Sequence, residues 1–191
     1  KVMAQNPRTV SEIISGDTPF GIPTNPKGSK KNSIDLYDEK SNEHDTRLFY
    51  IESSERKIGY VNRTKITKNS GDIDAIKVFI PEAYGAGETF PHQILGVPEF
   101  GGDNSICSQS YLYASFDSEE EAKNFIVYLK SKFFRSLVLS IKISQHAPSK
   151  TYRFVPVQDF SKPWTDGELY EKYGLTDEEI AFIESMIKPM E

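Results

Sequence analysis

Asp72, Asp74 and Lys77 stand within six residues of one another, just ahead of the apolar pair Val78 and Phe79. Two carboxylates and a lysine are what metal-dependent phosphodiester hydrolysis requires: the acids hold a divalent ion, the ion activates a water, and the lysine neutralises developing charge. Their order fits that chemistry poorly. Such sites place one acid on one strand and an acid-x-Lys triplet on the next, whereas two residues separate Asp74 from Lys77. The three histidines, His44, His92 and His146, lie about fifty residues apart, a spacing that gives no reason for them to share a metal. Tyr84-Gly-Ala-Gly-Glu88 could bring backbone amides close to a phosphate, yet it lacks the Gly-x-Gly-x-x-Gly spacing and no helical pattern follows it. The sequence contains no Gly-x-x-x-x-Gly-Lys-Ser/Thr, His-Glu-x-x-His or Gly-x-Ser-x-Gly motif.

A different chemistry is suggested by charge. Residues 122–158 contain no Asp or Glu, yet they carry Lys123, Lys130, Lys132, Arg135, Lys142, Lys150 and Arg153 in a chain of net charge −5. Residues 164–191 set eight acids against Lys172 and Lys188, a net −6, which leaves +1 for residues 1–163. The acidity is therefore local. Polyanion binding depends on where the positive charge sits, because Lys and Arg displace counterions from phosphates locally. The same residues would equally suit the solvated face of amphipathic helices.

The elements that must position these groups change character along the chain. At 191 residues and 37% apolar content the chain can bury a substantial core. No apolar run reaches the roughly 20 residues needed to span a bilayer, and the first residues lack a signal-peptide core. The lone Cys107 excludes an internal disulfide and a cysteine zinc cluster, and fits a cytoplasmic location. Residues 15–47, punctuated by Gly16, Pro19, Gly21, Pro23, Pro26 and Gly28, read as an irregular loop region. Residues 48–53 and 58–63 read as a β-hairpin, residues 73–81 and 106–116 as further strands, and the glycine-rich residues 84–102 between them as loop. Ser118 and Glu121 have capping-box spacing before Phe125, Leu129 and Phe133, which predicts a helix continuing past a bend to about residue 144. Residues 151–157 read as one more strand. Thr165 with Glu168, and Thr176 with Glu179, then open two short C-terminal helices. The fold class is α+β: a mixed or antiparallel sheet with glycine-rich loops, packed by helices. A main domain spans residues 1–163, with a helical appendage over 164–191.

An extended block of residues carries a family resemblance. It comprises Cys107-Ser-Gln-Ser-Tyr-Leu112, Phe116-Asp-Ser-Glu-Glu-Glu-Ala122, Lys132-Phe-Phe-Arg135, Tyr152-Arg-Phe-Val-Pro156, Gln158-Asp-Phe160, Trp164-Thr-Asp166 and Leu169-Tyr-x-Lys-Tyr-Gly-Leu-Thr-x-Glu-Glu-Ile180. Together with Pro19-Phe-Gly21, Thr24, Asn25 and Ala83-Tyr-Gly-Ala-Gly87, it resembles the C-terminal target-recognition domain of adenine-specific DNA methyltransferases from bacterial restriction-modification systems. The resemblance covers residues 15–187 and takes in the type in which nuclease, methyltransferase and recognition domain are fused. The family's Asp/Asn-Pro-Pro-Tyr/Phe and Phe-x-Gly-x-Gly motifs are absent, so the resemblance implies a recognition portion whose catalytic part lies elsewhere in a parent protein. On this reading the chain binds double-stranded DNA and catalyses nothing. It holds no cofactor of its own; S-adenosylmethionine, with magnesium as a further candidate, is expected for the parent enzyme.

Phosphate contacts position a protein on DNA, whereas bidentate side chains read base edges. The reading role is assigned to Asn25, Lys27, Lys30 and Lys31 in the first loop and to His92 and Gln93 in the glycine loop. The positioning role is assigned to Arg135, Lys142, Lys150 and Arg153, and Gln145 and His146 are mixed candidates. Pairing with a tail acid is the alternative for Arg135, and helix capping is the alternative for Gln145 and His146. Tyr111, Tyr113, Phe125 and Tyr128 fall at strand and helix periods and are assigned to the core. One alternative for the whole chain is a protein-interaction module that docks its acidic tail and its Ile180/Ile183/Ile187 face on the methyltransferase portion. The metal-dependent nuclease is the other.

Overall fold

A computed structural model of the chain describes residues 2–5, 7–27 and 34–190. The fold is α+β, in three layers. One sheet has the order β2-β1-β5, from β1 (Thr46–Glu52), β2 (Glu55–Val61) and β5 (Ser105–Cys107); the other has the order β4-β3-β6, from β3 (Ile76–Pro81), β4 (Glu99–Gly102) and β6 (Tyr111–Phe116). The helices α2 (Glu119–Lys130), α3 (Lys132–Leu139), α4 (Asp166–Tyr173) and α5 (Asp177–Met186) cover the second sheet, and a single turn, α1 (Val2–Gln5), lies near them.

Alternation along β3 builds the layers, because successive side chains of a strand point to opposite faces. Val78 and Ile80 join Leu112, Ala114, Phe125, Leu129, Phe134 and Val138 in the cluster under the helices. Phe79 points the other way and meets Phe49, Ile106, Tyr111 and Tyr113 between the sheets. Tyr111, Tyr113, Phe125 and Tyr128 are all buried. The tail helices continue the first cluster through Leu169, Tyr173, Ile183 and Ile187.

The hairpin β1–β2 closes through Ser53 and Ser54, both at positive φ, the two-residue turn that matches the twist of paired strands. The stretch 106–116, expected as one strand, is two. A turn at Ser108, where the Tyr111 amide donates to its carbonyl, hands the chain from a parallel pairing with β1 to an antiparallel pairing with β3. Part of the glycine-rich segment is strand after all: β4 lies on β3, and Gly101 is needed there because a Cβ would sit 2.4 Å from Phe79 Cε2.

Residues 151–157 are not a strand. Pro148 opens a helical turn at Ser149–Tyr152, and pairing afterwards is limited to a bridge between Thr9 and Pro156. The long helix ends earlier than residue 144. Ser131 closes α2 and caps α3 by accepting from the Phe134 amide, and α3 stops at Leu139. At α2 only half of the expected box forms: Ser118 accepts from the Glu121 amide, while the Glu121 carboxylate reaches the Asp117 amide. Both boxes of the tail form completely, at Thr165/Glu168 and Thr176/Glu179.

Candidate nucleic-acid interface

The end of β3 and the segments around it enclose a cleft of about 550 Å³. Ile51 and Ser54 of the hairpin, Pro81 to Tyr84 after β3, Gln109 and Ser110 between β5 and β6, Thr24 and His146 line it. Backbone hydrogen bonds lock these distant segments together. The Glu82 amide donates to Ser110 O (2.9 Å), Ala147 to Glu82 O (2.7 Å), Tyr84 to Gln145 O (2.8 Å) and Gln109 to Ile22 O (2.8 Å). Irregular segments of this kind, held by two sheets, are where binding residues concentrate.

Glu82 is the least exposed charged side chain lining the cleft. Its side chain is 17% exposed, His146 Nδ1 lies 4.0 Å from Oε1, and no hydrogen bond reaches its carboxylate among the described residues. Burial raises its pKa above the ordinary glutamate value, the charge of Asp17 adds to the rise, and His146 opposes it. Beside it, the Ser110 hydroxyl is buried without a hydrogen-bond partner. The Tyr152 hydroxyl, pushed up first by burial and then by the charge of Glu82, is likewise unpartnered. Arg56, on the hairpin wall, pairs with Glu99 at 3.3 Å and donates to Val97 O. The cleft thus offers the Glu82 carboxylate and the Gln109 amide between apolar walls, chemistry suited to a flat ligand with hydrogen-bonding edges.

No family model, curated protein or solved structure matches the chain.

A second concavity of about 320 Å³ adjoins the same turn and is lined by Gly85, Glu88, His92, Lys142, Ile143 and Gln145. Glu88 organises it: its carboxylate accepts from the Gln93 and Ile94 amides and lies 3.9 Å from His92 Nδ1. His92 also pairs its backbone with Met186 at the end of α5 and Lys188 beyond it, and the Gln93 side chain donates to Leu95 O. His92, Lys142 and Gln145, expected from separate segments, therefore share one rim, with His146 on the other side of the turn. Gln145 and His146 are exposed; they do not cap α3, which ends six residues earlier. Ile143 at this turn is fully exposed, as is most of Phe90 in the glycine loop (61%).

The positioning residues divide. Arg135 is 0% exposed, and its guanidinium donates to the carbonyls of Ser131, Gln93, Lys188 and Lys130. It cannot meet a phosphate in this arrangement, nor does it pair directly with a tail acid. Its function is to tie α3 to the glycine loop and to the chain after α5, and burial lowers its pKa against the opposing charges of Asp166 and Glu88. Lys142 is half-withdrawn in the same manner, with Nζ 2.7 Å from both Tyr84 O and Ile94 O. Lys123 pairs with Glu119 and Lys132 with Glu184. Of the seven cations in the acid-free stretch, Lys150 and Arg153 are the two exposed ones that form no ion pair among the described residues. The basic run is thus divided: backbone carbonyls draw in Arg135 and Lys142, Glu184 holds Lys132, and Lys123, Lys150 and Arg153 stay exposed.

In the first loop Asn25 and Lys27 are exposed; Asn25 Oδ1 accepts from the Lys27 amide, and Lys27 lies 3.8 Å from Asp38 and above the Tyr50 ring. Lys30 and Lys31 lie outside the described residues. The Asp72, Asp74 and Lys77 group is drawn apart. Lys77 is buried and donates to the carbonyls of Asp72, Ile73 and Ala75, Asp72 accepts from the Tyr113 hydroxyl, and Asp74 pairs with Arg63. No group of three or more potential metal ligands occurs among the described residues.

Proposed function

We propose that this chain recognises double-stranded DNA in a sequence-specific manner, as the specificity domain of a restriction-modification adenine methyltransferase or endonuclease whose catalytic portion lies elsewhere in the parent protein. One observation carries the reading: Thr24, Tyr84, Gln109 and His146, from four segments separated by at least 25 residues each, meet at one cleft. Two of those segments, around Thr24 and Tyr84, and the block containing Gln109 belong to the stretches that resemble the methyltransferase recognition domains. Exposed Lys150 and Arg153 are suited to phosphate contacts, and exposed Asn25, Lys27 and Gln145 to base edges. The described residues include no helix long and apolar enough to cross a membrane.

The test is selection of bound duplexes from a random DNA pool by the isolated domain at low and at physiological salt, followed by sequencing. An enriched motif containing an adenine is the expected result. Salt-sensitive binding without enrichment would assign the chain phosphate contacts alone, with specificity residing in the assembled enzyme.

A second reading is favoured by one specific surface. Phe133, Leu137, Leu175, Phe182 and Ile183 line an apolar groove of about 410 Å³ between α3 and α5, with Phe182 63% exposed and Glu178 and Glu179 at its edge. This groove suits docking on the methyltransferase portion. Co-elution of the two parts, abolished by Phe182→Asp and accompanied by no DNA binding by this chain, would replace recognition with docking.

A further inference from the structure

We infer that Glu82 is a specificity-determining residue that accepts a hydrogen bond from the exocyclic amino group of an adenine or cytosine held at the cleft; this rests on the DNA-recognition reading above. A half-buried carboxylate needs donors, since burying a charge without hydrogen bonds is costly. Here the protein supplies none: the sole approach to the Glu82 carboxylate among the described residues is His146 Nδ1 at 4.0 Å. A ligand edge that brings a donor to Glu82 would satisfy it.

The class of ligand follows from what else lines the cleft. Glu82 and the nearby charge of Asp17 repel phosphate, so the DNA backbone does not occupy it. Arg56 and His146 stand on its walls, which disfavours a lone ammonium ion. Ile51, Pro81 and Tyr84 supply apolar flanks for a base edge, and Gln109 adds an exposed amide that can both donate and accept. In DNA, Glu accepts from the cytosine amino group and Gln pairs with adenine, while guanine and thymine present only acceptors at the corresponding major-groove positions.

The experiment repeats the duplex selection with wild type and with Glu82→Gln in parallel, and adds wild-type binding to its own motif with the amino group deleted from one base at a time. The expected result is a wild-type motif with one adenine or cytosine position that relaxes in Glu82→Gln while the others persist. Affinity for the motif should fall about ten- to hundredfold on either change, with little further loss when the two are combined. A motif that is unchanged in Glu82→Gln, with unchanged affinity, overturns the role of Glu82 and leaves DNA recognition standing. Absence of any motif with the wild-type domain at either salt overturns sequence-specific recognition by this chain, and the role of Glu82 with it. The amino-deletion arm uses wild-type protein, so binding that no single amino deletion weakens overturns the role of Glu82 even if the variant fails to fold.

Discussion

Glu82 Oε1 and His146 Nδ1 face each other at 4.0 Å across the cleft, at the point where the chain leaving β3 is bridged to the turn after α3. Burial is the larger influence on Glu82 and raises its pKa, while His146 opposes the rise. The carboxyl should therefore titrate above the ordinary glutamate value, and further above it in His146→Ala, as followed by carbon NMR of the side-chain carboxyl. The sign for stability follows. A carboxyl raised in the folded state binds protons that the unfolded chain has released, so stability falls as pH rises through this window. Glu82→Gln removes that loss and should be at least as stable as wild type at neutral pH, which is the pattern of a residue kept for binding rather than for folding.

Lys150→Ala and Arg153→Ala should weaken DNA binding uniformly across sequences, and each should flatten the salt dependence by about one unit if its side chain neutralises one phosphate. Fluorescence anisotropy on several duplexes over a salt series measures both. Unchanged affinity and slope would remove these residues from the interface.

Arg135→Met should behave in the opposite way and act on stability. It leaves the part-buried carbonyls of Gln93, Lys188 and Lys130 without their donor, so a loss of about 1–3 kcal/mol is expected in urea denaturation, and an intermediate loss for Arg135→Lys. A loss of DNA affinity at full stability would restore its assignment to phosphate.

Lys77 gives a pH dependence of definite sign. Burial lowers its pKa from 10.5 to about 8, against the opposing charges of Asp72 and Asp74. Between those values the unfolded chain binds the extra proton, so stability rises with pH from about 8 to 10.5, by an amount on the order of 3 kcal/mol. Cys107, Tyr111 and Tyr113 are raised mainly by burial and act in the opposite sense at alkaline pH, so the quantity to measure is the difference between wild type and Lys77→Met. A pH-independent difference would mean that the three carbonyls keep the amine protonated.

Gly101→Ala should cost about 1–3 kcal/mol, because the new methyl group meets the Phe79 ring inside the core between the sheets. Thermal unfolding measures it, and Gly167→Ala, where a Cβ meets nothing within 4 Å, serves as the tolerated control.

The local signals in the sequence were those that nearest neighbours decide. The existence of β3 and of the hairpin, the onset of α2 and the two tail boxes are legible because alternation, β-branched residues and Ser or Thr three residues before Glu act within one turn or one strand, although β3 starts at Ile76 rather than 73 and the hairpin turns at Ser53 and Ser54 rather than over 54–57. The errors lie where tertiary structure overrides local preference. Residues 106–116 have the composition of one strand, and it is the requirement to serve both sheets that breaks them at Ser108. Residues 151–157 are rich in strand formers, yet Pro148 and the packing of Tyr152 hold Thr151 and Tyr152 in a helical turn and leave the rest irregular up to the bridge at Pro156.

The same division holds for the candidate site. Asn25, His92, Gln145 and His146 could be nominated from residue type and loop composition, because polar side chains on irregular backbone are the available readers. Glu82, Gln109 and Ser110 could not, since a residue at the end of an apolar strand and two in what reads as a strand carry no sign of facing a cleft. Charge was the least transferable signal. By itself the sequence determined that Arg135, Lys142, Lys150 and Arg153 are cations in an acid-free stretch; only the tertiary structure decided that the first two are drawn inward by carbonyls while the other two remain exposed. The physical reason is that a cation's partners are chosen by distance in space, and backbone carbonyls, which no count of charges includes, compete for it as acids do.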